Sequence, residues 1–367
     1  MQRVLTLGGR EIVTGALGQP IDRAFDRLHE AYLGNTSVAW DEFTSAALEY
    51  FDHNLNAPGA HDAFFNNFTI VWRFLADNGR LEEAERIWER ALEPAYEWEK
   101  THPGQHLHKG TPYYFWAMTA LNRGDIDRGY LLAHQSVEED IRSSGQAKPD
   151  TPGFALVTLN YGKVDQAFRQ WVIDQAAFLN NAIANYNAEH ARALRVEDIK
   201  PRFFDVTADL DTVFLFTYTL ARLIKIGLSK RITKNGFAGQ LEINLLFDLT
   251  LVIDSAIKGK NTGQWQFINH SAYLLQATGH SLTIPQLGDI NGQFQTNFDK
   301  TTMSALDGTL TVGTSPLDRI QCDVALAYGI RNRGAHNVQT AATIWQHFPA
   351  ITVSLFRVLF STIDHLY

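Results

Sequence analysis

The 367-residue chain contains one cysteine, Cys322. A single thiol cannot build an internal disulfide framework and offers no cysteine cage for a metal, a usage that favours a reducing compartment. Long apolar runs are also missing. No stretch approaches the roughly 18 uncharged apolar residues of a membrane span, so none is expected. Met1-Gln2-Arg3-Val4-Leu5-Thr6-Leu7-Gly8 has no extended apolar region and no cleavage site, which makes the cytoplasm the expected location. The chain lacks a basic domain as well. Residues 1–200 hold 19 Lys and Arg against 28 Asp and Glu, a net of −9. The remainder holds 13 against 12, a net of +1. A general nucleic-acid binder usually shows a basic face, so any RNA would have to meet a local patch, with modest salt dependence. Hydrophobic content of 45% and charged content of 20% describe a folded chain rather than a disordered one.

What the sequence does have is a distinctive stretch, Asp318 to Asn337. An apolar helical segment containing Cys322 runs into Arg331-Asn332-Arg333, and His336 follows. Arg carries a permanent charge on a fork that matches phosphate oxygens, and His exchanges a proton near neutral pH. Together they suit chemistry on a phosphodiester, one group moving a proton and the other holding developing negative charge. This Arg-x4-His pattern, with a polar residue after the Arg, resembles the signature of the HEPN superfamily. The resemblance covers the motif and, by extension, the last part of the chain. It implies a helical bundle, a metal-independent endoribonuclease and a homodimer that pairs two copies of the motif. On that reading Arg331, Asn332 and His336 are catalytic, with no metal and no cofactor. A simpler reading of the same residues has Arg331 and Arg333 capping the end of a helix, where cations are favoured, with His336 in the loop beyond. Spacing bears on the choice. At 100° per residue Arg331 and His336 lie about 140° apart, so they converge only if the helix ends or distorts, for which Gly334 is suited, or across two chains.

The first half reads as helical hairpins. Ile21, Ala24, Phe25, Leu28 and Tyr32 fall at helical spacing, as do Phe43, Ala46, Ala47, Tyr50 and Phe51. A weak repeat then appears: Gly79-Arg80-Leu81-Glu82-Glu83-Ala84, Gly124-Asp125-Ile126-Asp127-Arg128-Gly129 and Gly162-Lys163-Val164-Asp165-Gln166-Ala167. Each follows an apolar segment, and each has a small residue five positions after the Gly, where two helices can cross closely. These units resemble tetratricopeptide-type hairpins, which usually bind a peptide or another protein; a bundle with similar turns fits too. The run Tyr113-Tyr114-Phe115-Trp116 suits either a binding face or ordinary packing. His102, His106 and His108 match no familiar metal spacing. Residues 193–205, with Lys200-Pro201-Arg202, read as a linker in which Pro201 disfavours a helical Lys200.

Beyond it, residues 206–228 and 237–257 are apolar almost all round and read as central helices or a dimer face. Lys225, Lys230, Arg231 and Lys234 between them form the densest basic cluster, a solvated helix end or, with Arg333, an RNA-backbone contact. Glu242 and Asp248 sit within the second apolar helix. Either could orient Arg331 or His336, or make a plain buried hydrogen bond. Residues 281–315, rich in Gly, Asn, Thr and Asp, read as a long loop able to cover the site, with Thr309 to Val312 a possible strand. The aromatic stretch from Ala341 to Tyr367 should pack on the motif helix. The expected protein is therefore all-α, with a TPR-like hairpin array over residues 1–200 and a HEPN-like bundle over residues 201–367. Its expected activity is RNA cleavage, in a family often used in defence or toxin systems. The rival is a non-catalytic dimerisation or nucleotide-binding module with a helical adaptor.

Overall fold

Apolar residues at intervals of three and four recur along most of the chain, and helices form at most of these places. A computed structural model describes residues 2–7, 10–160, 162–206, 209–228, 236–336 and 342–367. The side chains of residues 2–14, 167, 228–240, 334–343 and 345 lie outside that description. The described chain is predominantly helical and divides into two compact units. No described helix is long and apolar enough to cross a membrane.

The first unit covers residues 1–156 and 163–165. It opens with a feature the sequence did not suggest: an antiparallel hairpin of β1 (Gln2–Leu7) and β2 (Arg10–Gly15), paired from Gln2 opposite Gly15 to Leu7 opposite Arg10. Helices α1 (Ile21–Gly34), α2 (Trp40–Asn54), α3 (Pro58–Asn66), α4 (Phe68–Asp77), α5 (Leu81–Thr101), α6 (Gly110–Asn122) and α7 (Ile126–Ser144) follow. Phe25, Phe43, Phe64 and Phe68 are buried together, with Phe25 edge-on to Phe43 and Phe68 at ring separations of 5.0 and 5.1 Å, a preferred aromatic geometry.

The repeat turns form as read in two cases. Gly79 at φ +72° and Gly124 at φ +82° make the left-handed turns that close α4 and α6. The small residue five places on has a physical reason at Gly129, where a Cβ would fall 2.4 Å from Leu121 Cδ2. The third unit departs from the pattern. Its first helix, α8 (Pro152–Val157), is short, and a three-residue helical turn at Gln166–Phe168 stands where a second helix of the hairpin was expected. The aromatic run packs inward: Phe115 stacks on Trp88 at 5.4 Å and Tyr114 is buried. Trp72 Nε1 donates to Thr119 Oγ1 at 2.7 Å, tying α4 to α6.

The second unit covers residues 157–162 and 166–367, so the division falls earlier than the expected boundary at 200/201. Two features explain this. Helix α9 (Arg169–His190) belongs to the second unit, where Tyr186 donates to Asp364 Oδ2 at 3.1 Å. After α10 (Val196–Ile199), the supposed linker forms a π-helical turn at Lys200–Phe204, in which Phe203 and Phe204 are buried. Lys200 is right-handed helical at φ −61° and ψ −61° despite Pro201, because the burial of two phenylalanines outweighs the local preference.

Helices α11 (Leu210–Leu228) and α12 (Gly236–Lys258) match the two apolar stretches, and α13 (Phe267–Ala277) follows. The expected long loop is instead mostly helical, as α14 (Ile284–Thr296) and α15 (Phe298–Asp307). Leu287, Ile290 and Phe294 are buried at helical spacing. Thr283 and Gln286 form a reciprocal cap at the start of α14, so Gly and Asn in the composition concealed a capped amphipathic helix. Short strands β3 (Thr311–Val312) and β4 (Ser315–Pro316) pair antiparallel. Helices α16 (Arg319–His336) and α17 (Ala342–Leu366) pack with α12 at the centre, and α17 continues through Pro349.

Asp323 fixes α16 to α17. It is fully buried and accepts from Arg319 Nη2 at 2.7 Å, Arg357 Nε and Nη2 at 2.7 and 2.8 Å, and Ser354 Oγ at 2.6 Å. Cys322 beside it is buried, and burial pushes its thiol pKa up, as a core residue requires.

Candidate functional site

The last turns of α16 send successive side chains to three different helices, as a rotation of 100° per residue requires. Arg331 lies over the Phe247 ring of α12, its guanidinium carbon 5.0 Å from the centroid. Its Nε is 3.7 Å from Asp254 Oδ2, also on α12. Phe247 and Asp254 are seven residues apart and share a helix face, so one supplies a ring and the other a charge to the same guanidinium. Asn332 Nδ2 donates to Asn291 Oδ1 of α14 at 2.7 Å. Arg333 turns to α15, its guanidinium carbon 5.0 Å from the Phe298 centroid.

Asp254 serves a second partner. Its Oδ1 accepts from His270 Nδ1 of α13 at 2.5 Å, and His270 is buried, with Nε2 3.4 Å from the Gln264 carbonyl oxygen. Asp254 itself keeps 18% of its side-chain surface and Arg331 keeps 25%. The carboxylate thus stands between an interior imidazole and a guanidinium that reaches solvent, and holds the guanidinium without capturing its whole donor set. The Nε of Arg331 is buried and makes no hydrogen bond.

Of the two acids expected to serve Arg331 or His336, Asp248 meets another arginine: its Oδ2 is 3.6 Å from Arg222 Nη1. Burial pushes its carboxyl pKa up, with Arg222 opposing. Glu242 is buried on α12, and it is Asp254, twelve residues later, that faces Arg331. Asp254 and His270 were not singled out in the sequence. Asp254 sits four residues before Lys258 near the end of α12, an ordinary pattern for a solvated helix end, and only the arrival of α16 gives it meaning.

Helix α16 continues through Gly334 to His336 without ending between the two motif residues. Within one chain the backbone therefore sends positions 331 and 336 about 140° apart. The His336 side chain lies outside the described residues, as do Lys230, Arg231 and Lys234. Lys225 is exposed on α11.

The three loop histidines each meet their own carboxylates. His102 stacks on Trp98 at 4.0 Å and is 3.5 Å from Asp52. His106 bridges Glu99 at 3.0 Å and Glu139 at 2.7 Å. His108 bridges Asp62 at 3.1 Å and Asp140 at 3.0 Å. Among the described residues no group of three or more His, Cys, Asp or Glu side chains is arranged to hold a metal ion. Comparison of the chain with protein-family models, with curated proteins and with solved structures finds no match.

Proposed function

We propose that the protein is a metal-independent endoribonuclease of the HEPN type, acting on RNA as a homodimer. The observation that carries this reading is the setting of Arg331, a guanidinium held over Phe247 and beside Asp254 with a quarter of its side-chain surface still open. A fork so placed has donors to spare for a phosphate. The helical path from Arg331 to His336 favours a site completed across two chains, with Arg331 of one protomer and His336 of the other meeting the same phosphodiester.

In that site His336 takes the proton from the 2′-hydroxyl as its oxygen bonds to phosphorus, and Arg331 holds the charge on the phosphorane oxygens. The bond from phosphorus to the 5′ oxygen breaks, that oxygen takes a proton from a solvent water, and the imidazolium of His336 returns its proton to the hydroxide so formed. The products are a 2′,3′-cyclic phosphate end and a 5′-hydroxyl end. Asn332, tied to Asn291, fixes the angle of the helix end. Arg333 and Lys225 stand as RNA-backbone contacts, joined in this reading by Lys230 and Arg231. The helical first unit would carry a regulating protein or peptide, as a defence or toxin system requires.

The second reading, a dimerisation or nucleotide-binding module without catalysis, is favoured by the engagement of Arg331 with Asp254. The two separate in one assay: cleavage of a labelled single-stranded RNA pool by wild type, Arg331→Ala and His336→Ala, with and without EDTA. EDTA-resistant cleavage lost in both folded variants supports the ribonuclease. Equal cleavage in all three removes it.

A further inference from the structure

Trp265 is 80% exposed, in the turn that joins α12 to α13. A single exposed apolar side chain is ordinary on a protein surface, and what sets this indole apart is its setting. This indole is presented by a fixed backbone. On one side of it, the Gln264 carbonyl faces His270 Nε2, and Gln264 Oε1 accepts from Asn269 Nδ2 at 2.8 Å. On the other, the Gln266 carbonyl accepts from the backbone N–H groups of Asn269 and His270.

Two lysines precede the ring in the chain, and the first of them covers it. Lys258 Nζ is 4.7 Å from the Trp265 centroid, covering one face of the indole, and Lys260 Nζ is 4.2 Å from the Tyr367 centroid. The residues around Trp265 are polar and exposed: Thr262, Gly263, Gln264 and Gln266. A tryptophan that anchors a protein interface sits in a well-packed pocket whose surrounding contacts exclude water. This one stands open between the exposed amides of Gln264 and Gln266 with the Lys258 ammonium over one face, a setting that suits a nucleotide base. Gln264 also links it to the motif, since its carbonyl meets His270, His270 meets Asp254 and Asp254 meets Arg331.

We propose that the Lys258–Gln266 turn is a base-stacking platform for single-stranded RNA. The open face of Trp265 takes a base, and Lys258 and Lys260 meet the phosphates beside it. Its role as a substrate-positioning element beside Arg331 rests on the ribonuclease reading; its binding chemistry does not. Stacking on an aromatic ring is tolerant of sequence and needs an unpaired base, so the platform selects single strands over duplex.

The test uses a fluorescent 12-mer carrying 2′-O-methyl groups throughout, which cannot be cleaved by attack of a 2′-hydroxyl, titrated with the full chain. Trp265→Ala should weaken binding by roughly 5- to 150-fold, the loss of one stacked base. Trp265→Phe should keep most of the affinity. Lys258→Ala with Lys260→Ala should flatten the salt dependence by about 1.4 in log–log slope, at about 0.7 per phosphate contact. Equal affinity of wild type and Trp265→Ala overturns the proposal, as does absence of binding by wild type. So does a change in sedimenting mass for Trp265→Ala with RNA affinity intact, which would assign the ring to a protein contact. Wild type that binds the probe through Trp265 but cuts no ordinary RNA sustains the platform and removes the nuclease. Cleavage with KM unchanged in Trp265→Ala does the reverse.

Discussion

Three single residues carry tests of their own. Asp254 holds Arg331, so on the ribonuclease reading Asp254→Asn should lower the rate of RNA cleavage by about 10- to 100-fold with little change in melting temperature, the scale of loss from a catalytic group displaced by about 1 Å. A fall in stability with unchanged single-turnover rate would give Asp254 a purely structural role. Asp323 is the opposite kind of residue. Asp323→Ala would leave Arg319 and Arg357 facing each other without their shared anion, and should cost about 3–5 kcal/mol in thermal or denaturant unfolding. His108 gives the pH dependence. Burial alone would lower its pKa, but Asp140 and Asp62 outweigh that and push it up to about 9. The ordinary value in an unfolded chain is about 6.5. The protonated imidazole therefore stabilises the fold fully below about pH 6.5, and that support is lost as pH rises towards 9. His61, whose Nδ1 accepts from the backbone N–H of His108, is lowered by burial and opposes the gain at the acid end. Melting curves from pH 6.5 to 9 should show the wild type losing stability relative to His108→Asn as pH rises, by on the order of 3 kcal/mol at most. Parallel curves for the two proteins would remove the assignment.

At the scale of elements, the close approaches decide what can change. Gly329 of α16 lies against Phe294 of α14: a Cβ there would stand 2.7 Å from three ring carbons. Glycine to alanine inside a helix ordinarily gains up to about 1 kcal/mol from propensity. Here Phe294 is a buried ring with no free end to swing away, so overpacking of about 1–3 kcal/mol wins and Gly329→Ala should lower the melting temperature. A rise would show that α14 can yield. The same helices show what could be read before the structure was known. The apolar stretches at 206–228 and 237–257 stood out because long runs of large aliphatic residues leave little choice but a buried helix. Gly79 and Gly124 stood out because a left-handed turn needs glycine. Helix α14 did not, since Leu287, Ile290 and Phe294 are separated by Gly288 and Gly292, and the Thr283–Gln286 cap is visible only to a search for that pairing. The split at 157–166 was hidden because Pro201 argues locally for a break, while the burial of Phe203 and Phe204 is a long-range effect. The site was half legible. Arg331 and Asn332 are marked by residue type and spacing, but their partners Asp254 and Asn291, and His270 behind Asp254, come from three other helices, at sequence separations no local pattern reports.

At the scale of the molecule, the charge distribution and the helical course of the motif have to be reconciled with one activity. A net of −9 on residues 1–200 repels RNA at long range, while the remainder is close to neutral. On the ribonuclease reading, association is then left to a few contacts around Arg331 and Trp265 rather than to a basic surface. Within one chain, Arg331 and position 336 point about 140° apart along an unbroken helix. If the site is composite, each catalytic centre takes its Arg from one protomer and its His from the other. Mixing Arg331→Ala with His336→Ala under exchange then has a definite outcome. Half of the dimers formed are mixed, and in each of these one centre has both wild-type groups and the other has neither, so about a quarter of the wild-type activity should return from two inactive parents. A site built within one chain gives no recovery at all, because every chain in the mixture lacks one of its two groups. Measuring cleavage of a single-stranded RNA against the mixing ratio, with the dimer fraction followed by sedimentation, separates these cases. A maximum at equal proportions identifies the dimer as the catalytic unit, and a flat line at the level of the parents returns both residues to a single protomer or to no catalysis.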